Sequence, residues 1–217
     1  MSKLVVFDCD GTLVDSQAAI IRSMDAGFAA AGLPPPDRIA VRRIVGLSLP
    51  QALAELAPAA SAAQHSHALE AYKASFRAAR SDGTLEQPLY AGIEALLRRL
   101  HAAGNTLGVA TGMSDRGLLA CLTRHGVRAL FTTLQTADRH PSKPHPAMLE
   151  AALLEAGARP GEAVMVGDTV YDIEMARTAG VRAIGVALGY HDPDELTDAG
   201  AVGVAQTSLE LERLING

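Results

Sequence analysis

The feature that most constrains the fold is an alternation, from residue 88 onward, of short apolar segments with longer helical ones. The segments typical of strands are "TLGVAT", "ALFTTL", "EAVMVGD" and "RAIGVAL". Helices are predicted for Tyr90–Ala103, Ser114–His125, Pro146–Ala156, "VYDIEMARTAG" and "SLELERLI". Such alternation indicates a parallel sheet with helices on both faces. The predicted fold class is therefore a doubly wound α/β core.

A further strand is predicted at the start, where "KLVVF" is a continuous β-branched run that suits a strand buried on both faces. Residues 15–82, between this strand and the next, contain helical patterns and no strand pattern. A helix is predicted from Ser16 to about Gly32, followed by three or four short helices. We therefore predict two domains, an α/β core of residues 1–14 and 83–217, and a helical insertion of residues 15–82.

Composition excludes several classes of protein. The net charge of the 217 residues is −5, with both signs spread along the chain, which argues against a nucleic-acid-binding surface. The two cysteines, Cys9 and Cys121, lack the spacing of a zinc site. No secretory leader is recognised, and no apolar run reaches the roughly 18 residues that span a bilayer. These features predict a soluble, cytoplasmic protein with reduced cysteines and no membrane partner.

Polar residues follow the predicted strands where each strand ends, which is where ligands bind in open α/β sheets. The first strand leads to Asp8 and Asp10, and "TLGVAT" leads to Thr111 and Gly112. The remaining candidates are Lys143, within "SKPHP", and the pair Asp168 and Asp172, within "GDTVYD". Carboxylates gathered in one place raise one another's pKa unless a counter-charge is present. Mg²⁺ with oxygen ligands, together with Lys143, would provide that charge and leave room for a phosphate group.

Each candidate also has a simpler interpretation. An isolated Asp-x-Asp is more often a turn or a helix cap, and "DCDG" is similar to part of a calcium loop, although a strand precedes it here. Thr111 could cap the following helix, Lys143 could be an exposed loop residue, and "GDTVYD" could be an acidic first helical turn. These interpretations would all have to hold at once, at the ends of successive strands, so we favour one shared site.

The motifs resemble those of the haloacid dehalogenase superfamily, and within it the phosphoglycolate phosphatase-like branch. "FDCDGTLVDS", "ATG", "SKPHP" and "VGDTVYDIEMARTAG" match its four motifs in order, over nearly the whole chain. The resemblance implies a Rossmann-like core with a helical cap inserted after the first strand. It also implies a Mg²⁺-dependent phosphatase that acts on a small phosphorylated metabolite, with 2-phosphoglycolate as one candidate.

The resemblance also implies residue roles. Asp8 would be the nucleophile that forms an aspartyl-phosphate, and Asp10 the general acid and then the general base. Thr111 and the Gly112 amide would bind phosphoryl oxygens, and Lys143 would neutralise charge. The metal ligands would be Asp8, the Asp10 backbone carbonyl and Asp168, with Asp172 reaching the metal through water or orienting Asp168.

The chain departs from the family pattern at Gly112, where the superfamily often has Asn, and at Met113, where relatives commonly carry a polar or basic residue. Both departures weaken the phosphoglycolate assignment more than the phosphatase assignment. In the cap, "RRIVGLSLP" offers Arg43 and Gly46 as substrate-binding candidates, with Arg42 beside them. The alternative is that both arginines lie on a solvated helix face. Lys73 is weak evidence for an imine-forming lysine.

Two other functions remain open. A sugar-phosphate mutase keeps the same motifs and differs in how its cap controls water. A catalytically silent domain that binds phosphorylated ligands is the alternative of another class. The oligomeric prediction is a monomer or a homodimer.

Overall fold

The computed structural model describes residues 3–217, and it confirms the predicted α/β fold class. The strands of this part of the chain are β1 (Leu4–Phe7), β2 (Thr106–Thr111), β3 (Phe131–Thr136), β4 (Ala163–Gly167), β5 (Arg182–Val186) and β6 (Val204–Ala205). They form a parallel sheet in the order β3-β2-β1-β4-β5-β6. The helices are α1 (Gln17–Ala30), α2 (Arg38–Arg43), α3 (Leu49–Leu56), α4 (Ala62–Ser81), α5 (Ile93–Ala102), α6 (Asp115–Arg124), α7 (Ala147–Ala156), α8 (Val170–Thr178), α9 (Pro193–Ala199) and α10 (Ser208–Asn216).

Strand β1 lies at the centre of the sheet and is buried on both faces. Successive side chains of a strand point to opposite sides. Val5 and Phe7 pack in the apolar cluster that includes α5, α6 and α10, whereas Leu4 and Val6 pack in the cluster that includes α7, α8 and α9. This two-sided burial explains why the strand is apolar throughout rather than alternating.

The strand order reverses beside β1. The chain runs from β1 through β2 to β3 on one side, then crosses to β4 on the other side of β1. Strands β1 and β4 pair in parallel, with Leu4 opposite Ala163 and Phe7 opposite Val166. Their carboxyl ends therefore meet at the switch point of the sheet, where open α/β proteins bind ligands.

Helices α1 to α4 form the helical cap between β1 and β2. They share an apolar cluster whose buried members include Met24, Phe28 and Leu53, and Tyr190 of the core packs against it. Helices α1 and α4 approach closely at Gly27, where an added Cβ would lie 2.8 Å from the carbonyl oxygen of Ala68. The exact cap boundaries, at residues 15 and 82, stay a prediction.

The cap helices differ in length from the prediction of three or four short ones. After α1 there are three, and the last of them, α4, has 20 residues. The Ser61–Gln64 capping box, in which each side chain bonds the other residue's backbone N–H, begins α4. Within residues 3–217, none of the helices combines the length and the apolar character needed to cross a membrane.

Three core elements also differ from their predictions. Helix α5 begins at Ile93 rather than Tyr90, because Gly92 precedes it with a φ of 80°. Strand β3 begins at Phe131, because Arg128–Leu130 form a 3₁₀ turn. Helix α9 and strand β6 were not predicted, although the capping box of Asp192 and Glu195 is a signal for α9.

Candidate active site

Three carboxylates converge at the switch point of the sheet. Asp8 follows β1, Asp168 follows β4, and Asp172 lies in the first turn of α8. One oxygen from each carboxylate lies within 4.8 Å of the others, and each residue is at most 1% exposed. The structure therefore brings together residues that are more than 150 positions apart in the sequence.

The turn after β1 is tight enough to place Asp168 against it. Gly11 has a φ of 91°, and an added Cβ there would lie 2.2 Å from Asp168 Oδ2. Asp168 Oδ1 accepts a hydrogen bond of 2.7 Å from the Thr12 hydroxyl, and Oδ2 accepts one of 3.0 Å from the Tyr190 N–H. A side chain at position 11 would displace this carboxylate, which explains the need for glycine.

Lys143 provides the internal counter-charge. It is completely buried, and its Nζ lies 2.8 Å from Asp8 Oδ1 and 2.6 Å from Asp172 Oδ1. Burial disfavours the charged ammonium, but the Asp172 and Asp8 carboxylates outweigh that effect and raise the pKa of Lys143. The lysine is therefore held charged between two carboxylates.

Asp172 already uses both of its carboxylate oxygens. Oδ1 accepts from Lys143, and Oδ2 accepts from the Thr169 backbone N–H at 3.2 Å and from the Thr169 hydroxyl at 2.8 Å. A second cation beside Oδ1 would face the ammonium of Lys143. Both oxygens of Asp168 also accept hydrogen bonds, so the distinguishing contact of Asp172 is the one to the Lys143 ammonium, which suits a residue that holds Lys143 in place.

Asp8 is the carboxylate that lacks hydrogen bonds. Neither of its oxygens has a hydrogen-bond partner within residues 3–217, although the Lys143 ammonium is close enough for an ion pair. Burial raises the pKa of Asp8 to about 7 despite the opposing charge of Lys143, and the Asp172 carboxylate adds to the increase. Buried oxygens without donors, next to a second carboxylate from Asp168, fit a hard divalent cation such as Mg²⁺. Asp8 and Asp168 are the residues that would hold it.

Asp10 has a different environment from the other acidic residues. It lines the cavity above the carboxylates, and its Oδ1 accepts a hydrogen bond of 3.3 Å from Gln87 Nε2. Burial raises the pKa of Asp10, while hydrogen bonds from Ser16 and Gln87 lower it in part. An upward shift in pKa is the direction that suits a carboxyl group acting as a general acid. Gln87 was not among the sequence candidates, because an isolated glutamine before a proline carries no motif.

Thr111, the last residue of β2, and Gly112, which follows it, line the same cavity. A Cβ added at Gly112 would lie 2.4 Å from the Leu47 carbonyl oxygen and 2.8 Å from that of Gly46. The cap loop therefore rests directly on the backbone of Gly112. This contact explains why the chain has glycine here rather than the larger residue expected from the family pattern.

Of the two substrate-binding candidates in the cap, the structure places only one at the cavity. Gly46 lines the cavity, but Arg43 does not, because its Nη1 bonds Glu195 Oε1 at 2.7 Å on the surface. Arg42 bonds Gln17 at 2.8 Å and also lies outside the cavity wall. The structure thus does not bring Arg43 to the site. Its position fits the alternative interpretation, an arginine on a solvated helix face.

The cavity has a volume of about 320 Å³ and extends from Asp8 and Asp10 to the cap. One face of α4 forms much of its far wall, through residues Leu69, Tyr72, Lys73, Phe76, Arg77 and Arg80. Their spacing of three and four residues is that of a single helix face. Sequence reasoning missed this face, although its periodicity was visible in the chain.

Comparison with known proteins supports the motif analysis. The family model described as haloacid dehalogenase-like hydrolase matches residues 5–186. The chain is 35% identical over 217 residues to "Probable phosphatase IndB" of Dickeya dadantii, covering 97% of this chain and 92% of that protein. It is 31% identical to a phosphoglycolate phosphatase of Agrobacterium fabrum, covering 100% and 95%. The crystal structure of "a predicted phosphatase" from Clostridium acetobutylicum has a TM-score of 0.89 at 27% identity, covering 100% and 99%.

Proposed function

The chain belongs to the haloacid dehalogenase-like hydrolase family and is a phosphatase, and we propose that it hydrolyses a small phosphomonoester through an aspartyl-phosphate on Asp8, with Mg²⁺ bound. The family membership confirms the resemblance inferred from the four motifs. The observation that carries the proposal is the buried Asp8 carboxylate, which lines the cavity, pairs with the Lys143 ammonium at 2.8 Å and makes no hydrogen bond to any other residue among 3–217.

Asp8 suits the role of nucleophile. It follows β1 and lines the cavity, and apart from the Lys143 ion pair no described residue holds its oxygens, so they are available to attack phosphorus. The new P–O bond forms at a carboxylate oxygen as the bond to the leaving oxygen breaks. This divides one difficult displacement into two easier ones.

Asp10 suits proton transfer at the leaving oxygen. Burial shifts its pKa upward, the direction that favours proton donation to the departing alkoxide, and the resulting carboxylate can then take a proton from the water that hydrolyses the intermediate. Gln87 would keep this carboxyl oriented toward the cavity.

The positive charge in the site comes from two sources. Lys143 lies against Asp8 and would reduce repulsion between that carboxylate and the phosphate. Mg²⁺, held by Asp8, the Asp10 carbonyl and Asp168, would supply charge stabilisation for the phosphoryl oxygens. Thr111 and the Gly112 amide would bind the remaining phosphoryl oxygens. A cytoplasmic location and a monomeric or dimeric state remain predictions from the sequence.

The test is hydrolysis of 4-nitrophenyl phosphate by the purified protein, with Mg²⁺ and with a chelator. We expect Mg²⁺-dependent release of inorganic phosphate, and its loss in Asp8→Asn by at least about 10³-fold. Asp15→Asn is the matched control, because Asp15 is exposed and outside the cavity wall. Wild-type rates in Asp8→Asn would remove the covalent mechanism. Isomerisation of a sugar phosphate without phosphate release would instead indicate a mutase.

A further inference from the structure

Three arginines line the cavity but have no role in the proposed chemistry. Arg77 and Arg80 lie on α4 of the cap, and Arg116 lies on α6 of the core. All three line the cavity that contains Asp8 and Asp10. We name Arg77, Arg80 and Arg116 the arginine cluster. It combines side chains of the cap with one of the core around a single cavity.

The arginine cluster lacks the acidic partners that seven other arginines have. Within residues 3–217, no carboxylate oxygen lies within 4.0 Å of any of its guanidinium groups, and none of them makes a hydrogen bond. Salt bridges do join seven other arginines to acidic residues: Arg22, Arg38, Arg43, Arg98, Arg99, Arg139 and Arg159. Arg77 and Arg116 are exposed and Arg80 is half-buried, so their guanidinium groups face the cavity with donors available to an anion that enters it.

Two details support an anion at this position. Burial lowers the pKa of Arg80, and the neighbouring charge of Arg116 lowers it further, so the two guanidinium groups repel each other. Asp138 also lines the cavity, but its Oδ2 accepts a hydrogen bond of 2.9 Å from the Asp115 backbone N–H instead of pairing with the cluster. The repulsion is thus left for a ligand to relieve.

The wall between the arginine cluster and the carboxylates is apolar. Met24, Leu47, Tyr72 and Phe76 are among the side chains that form it. A cavity of about 320 Å³ lies within the range that encloses ligands much larger than glycolate. A short acid alone would leave most of this apolar surface uncovered.

We propose, resting on the phosphatase function above, that the substrate is a phosphomonoester with an apolar body and a second anionic group at its far end. The phosphoryl group binds at Asp8, the body packs between α4 and the cap loop, and the distal anion binds the arginine cluster. Either a carboxylate or a second phosphate fits, because a guanidinium binds both in the same forked geometry.

The test compares three matched aryl esters: phenyl phosphate, 4-carboxyphenyl phosphate and 1,4-phenylene bisphosphate. We expect kcat/KM for at least one of the two esters with a distal anion to exceed that for phenyl phosphate by about 10-fold or more, since hydrogen bonds to charged groups contribute that much. The relative rates for these two esters distinguish a carboxylate from a phosphate. In Arg80→Gln and Arg116→Gln, the preference should fall toward one.

The matched control is Arg98→Gln, because Arg98 pairs with Glu94 on the surface of α5 and does not line the cavity. It should keep the wild-type preference. If phenyl phosphate is hydrolysed but a distal anion gives no gain, and the arginine variants change nothing, the subsite is excluded while the phosphatase function stands.

Calorimetry separates the two proposals completely. The same esters are titrated into Asp8→Asn protein, with and without Arg80→Gln. If no ester is turned over by the wild-type protein, the proposed function fails, and this titration still decides the subsite. Tighter binding of an ester with a distal anion, lost with Arg80→Gln, supports the subsite, and equal binding of all three esters overturns it.

Discussion

Lys143 donates a hydrogen bond of 2.6 Å to Asp172 in a fully buried pair, and the same ammonium lies 2.8 Å from Asp8. One cation therefore serves two carboxylates that come from different elements of the fold. Asp172 fixes the lysine through α8, and the lysine in turn stabilises the negative charge of Asp8. Three buried carboxylates with one lysine still leave the site with excess negative charge, which a divalent cation would balance.

Lys143→Met should both inactivate and destabilise the protein. Removing one partner leaves buried carboxylates without their cation, which costs on the order of 3–5 kcal/mol in the free energy of unfolding. We expect kcat to fall by at least about 10²-fold, as for loss of a charge-stabilising donor. Urea unfolding with a chelator present measures the first effect. Arg98→Met, at an exposed pair, should cost less than about 1 kcal/mol, and equal stability of the two variants would contradict the prediction.

Asp10→Asn should separate the two chemical steps. 4-Nitrophenolate leaves without a general acid, so formation of the aspartyl-phosphate should persist. Its hydrolysis needs the base, and steady turnover should fall by about 10²- to 10⁴-fold. Rapid mixing should show a burst of nitrophenolate that approaches one equivalent per site. A slow linear release without a burst would argue against Asp10 as the base for the second step.

Gln87→Leu should act through Asp10. The Gln87 amide donates to the Asp10 carboxylate and favours its ionised form, so its loss raises the pKa of Asp10. Because the acid must be protonated for the first step, the alkaline limb of kcat/KM for phenyl phosphate should move to higher pH. We also expect kcat to fall by about 10-fold as the carboxyl loses its orientation. Gln51→Leu, at an exposed position of α3, is the control and should leave the pH profile unchanged.

Gly112→Asn should impair cap closure although it introduces the residue common in the superfamily. The new Cβ would lie within 3.0 Å of two cap carbonyl oxygens, so the cap loop must move. We expect kcat/KM to fall by about 10-fold or more. Hydrogen exchange of the Gly46 and Leu47 amides should become faster. Gly161→Asn, where an added Cβ meets nothing within 4 Å, should change neither quantity, and normal kinetics in Gly112→Asn would show that the contact is unimportant.

Stabilisation by Mg²⁺ should increase with pH. Burial raises the pKa of Asp8 to about 7 and that of Asp168 well above its usual value, so the metal-free fold binds extra protons between about pH 4 and 7. Its stability therefore falls as the pH rises through that window, and the metal should restore it. The rise in melting temperature on adding Mg²⁺ should be larger at about pH 8 than at about pH 5.

Protonation of histidines also changes stability with pH, in the opposite direction. Comparing samples with and without metal at each pH removes this contribution. Burial lowers the pKa values of His140 and His191, which reduces stability at low pH whether or not metal is present. Asp168→Asn should abolish the shift caused by Mg²⁺. An equal shift at both pH values in the wild-type protein would mean that these carboxylates do not take up protons in the metal-free fold.

The fold was predictable because its signals are local and repeated. Each buried strand is a short apolar run, and each predicted core helix ends near a glycine, so periodicity alone indicated a parallel sheet. Elements with little sequence signal were missed, such as the two-residue β6, whose existence depends on pairing with β5. The start of α5 was misplaced because the backbone at Gly92 decides it.

The sequence by itself determined the acidic and basic groups of the site, since Asp8, Asp10, Lys143 and Asp168 lie in the segments that follow predicted strands. Only the tertiary structure decided which cap residues face them. Arg43 and Arg80 are equally basic in the sequence, yet one pairs with Glu195 on the surface and the other lines the cavity. That difference depends on how α2 and α4 pack against the core, because the direction of a helix face is set by contacts between elements distant along the chain.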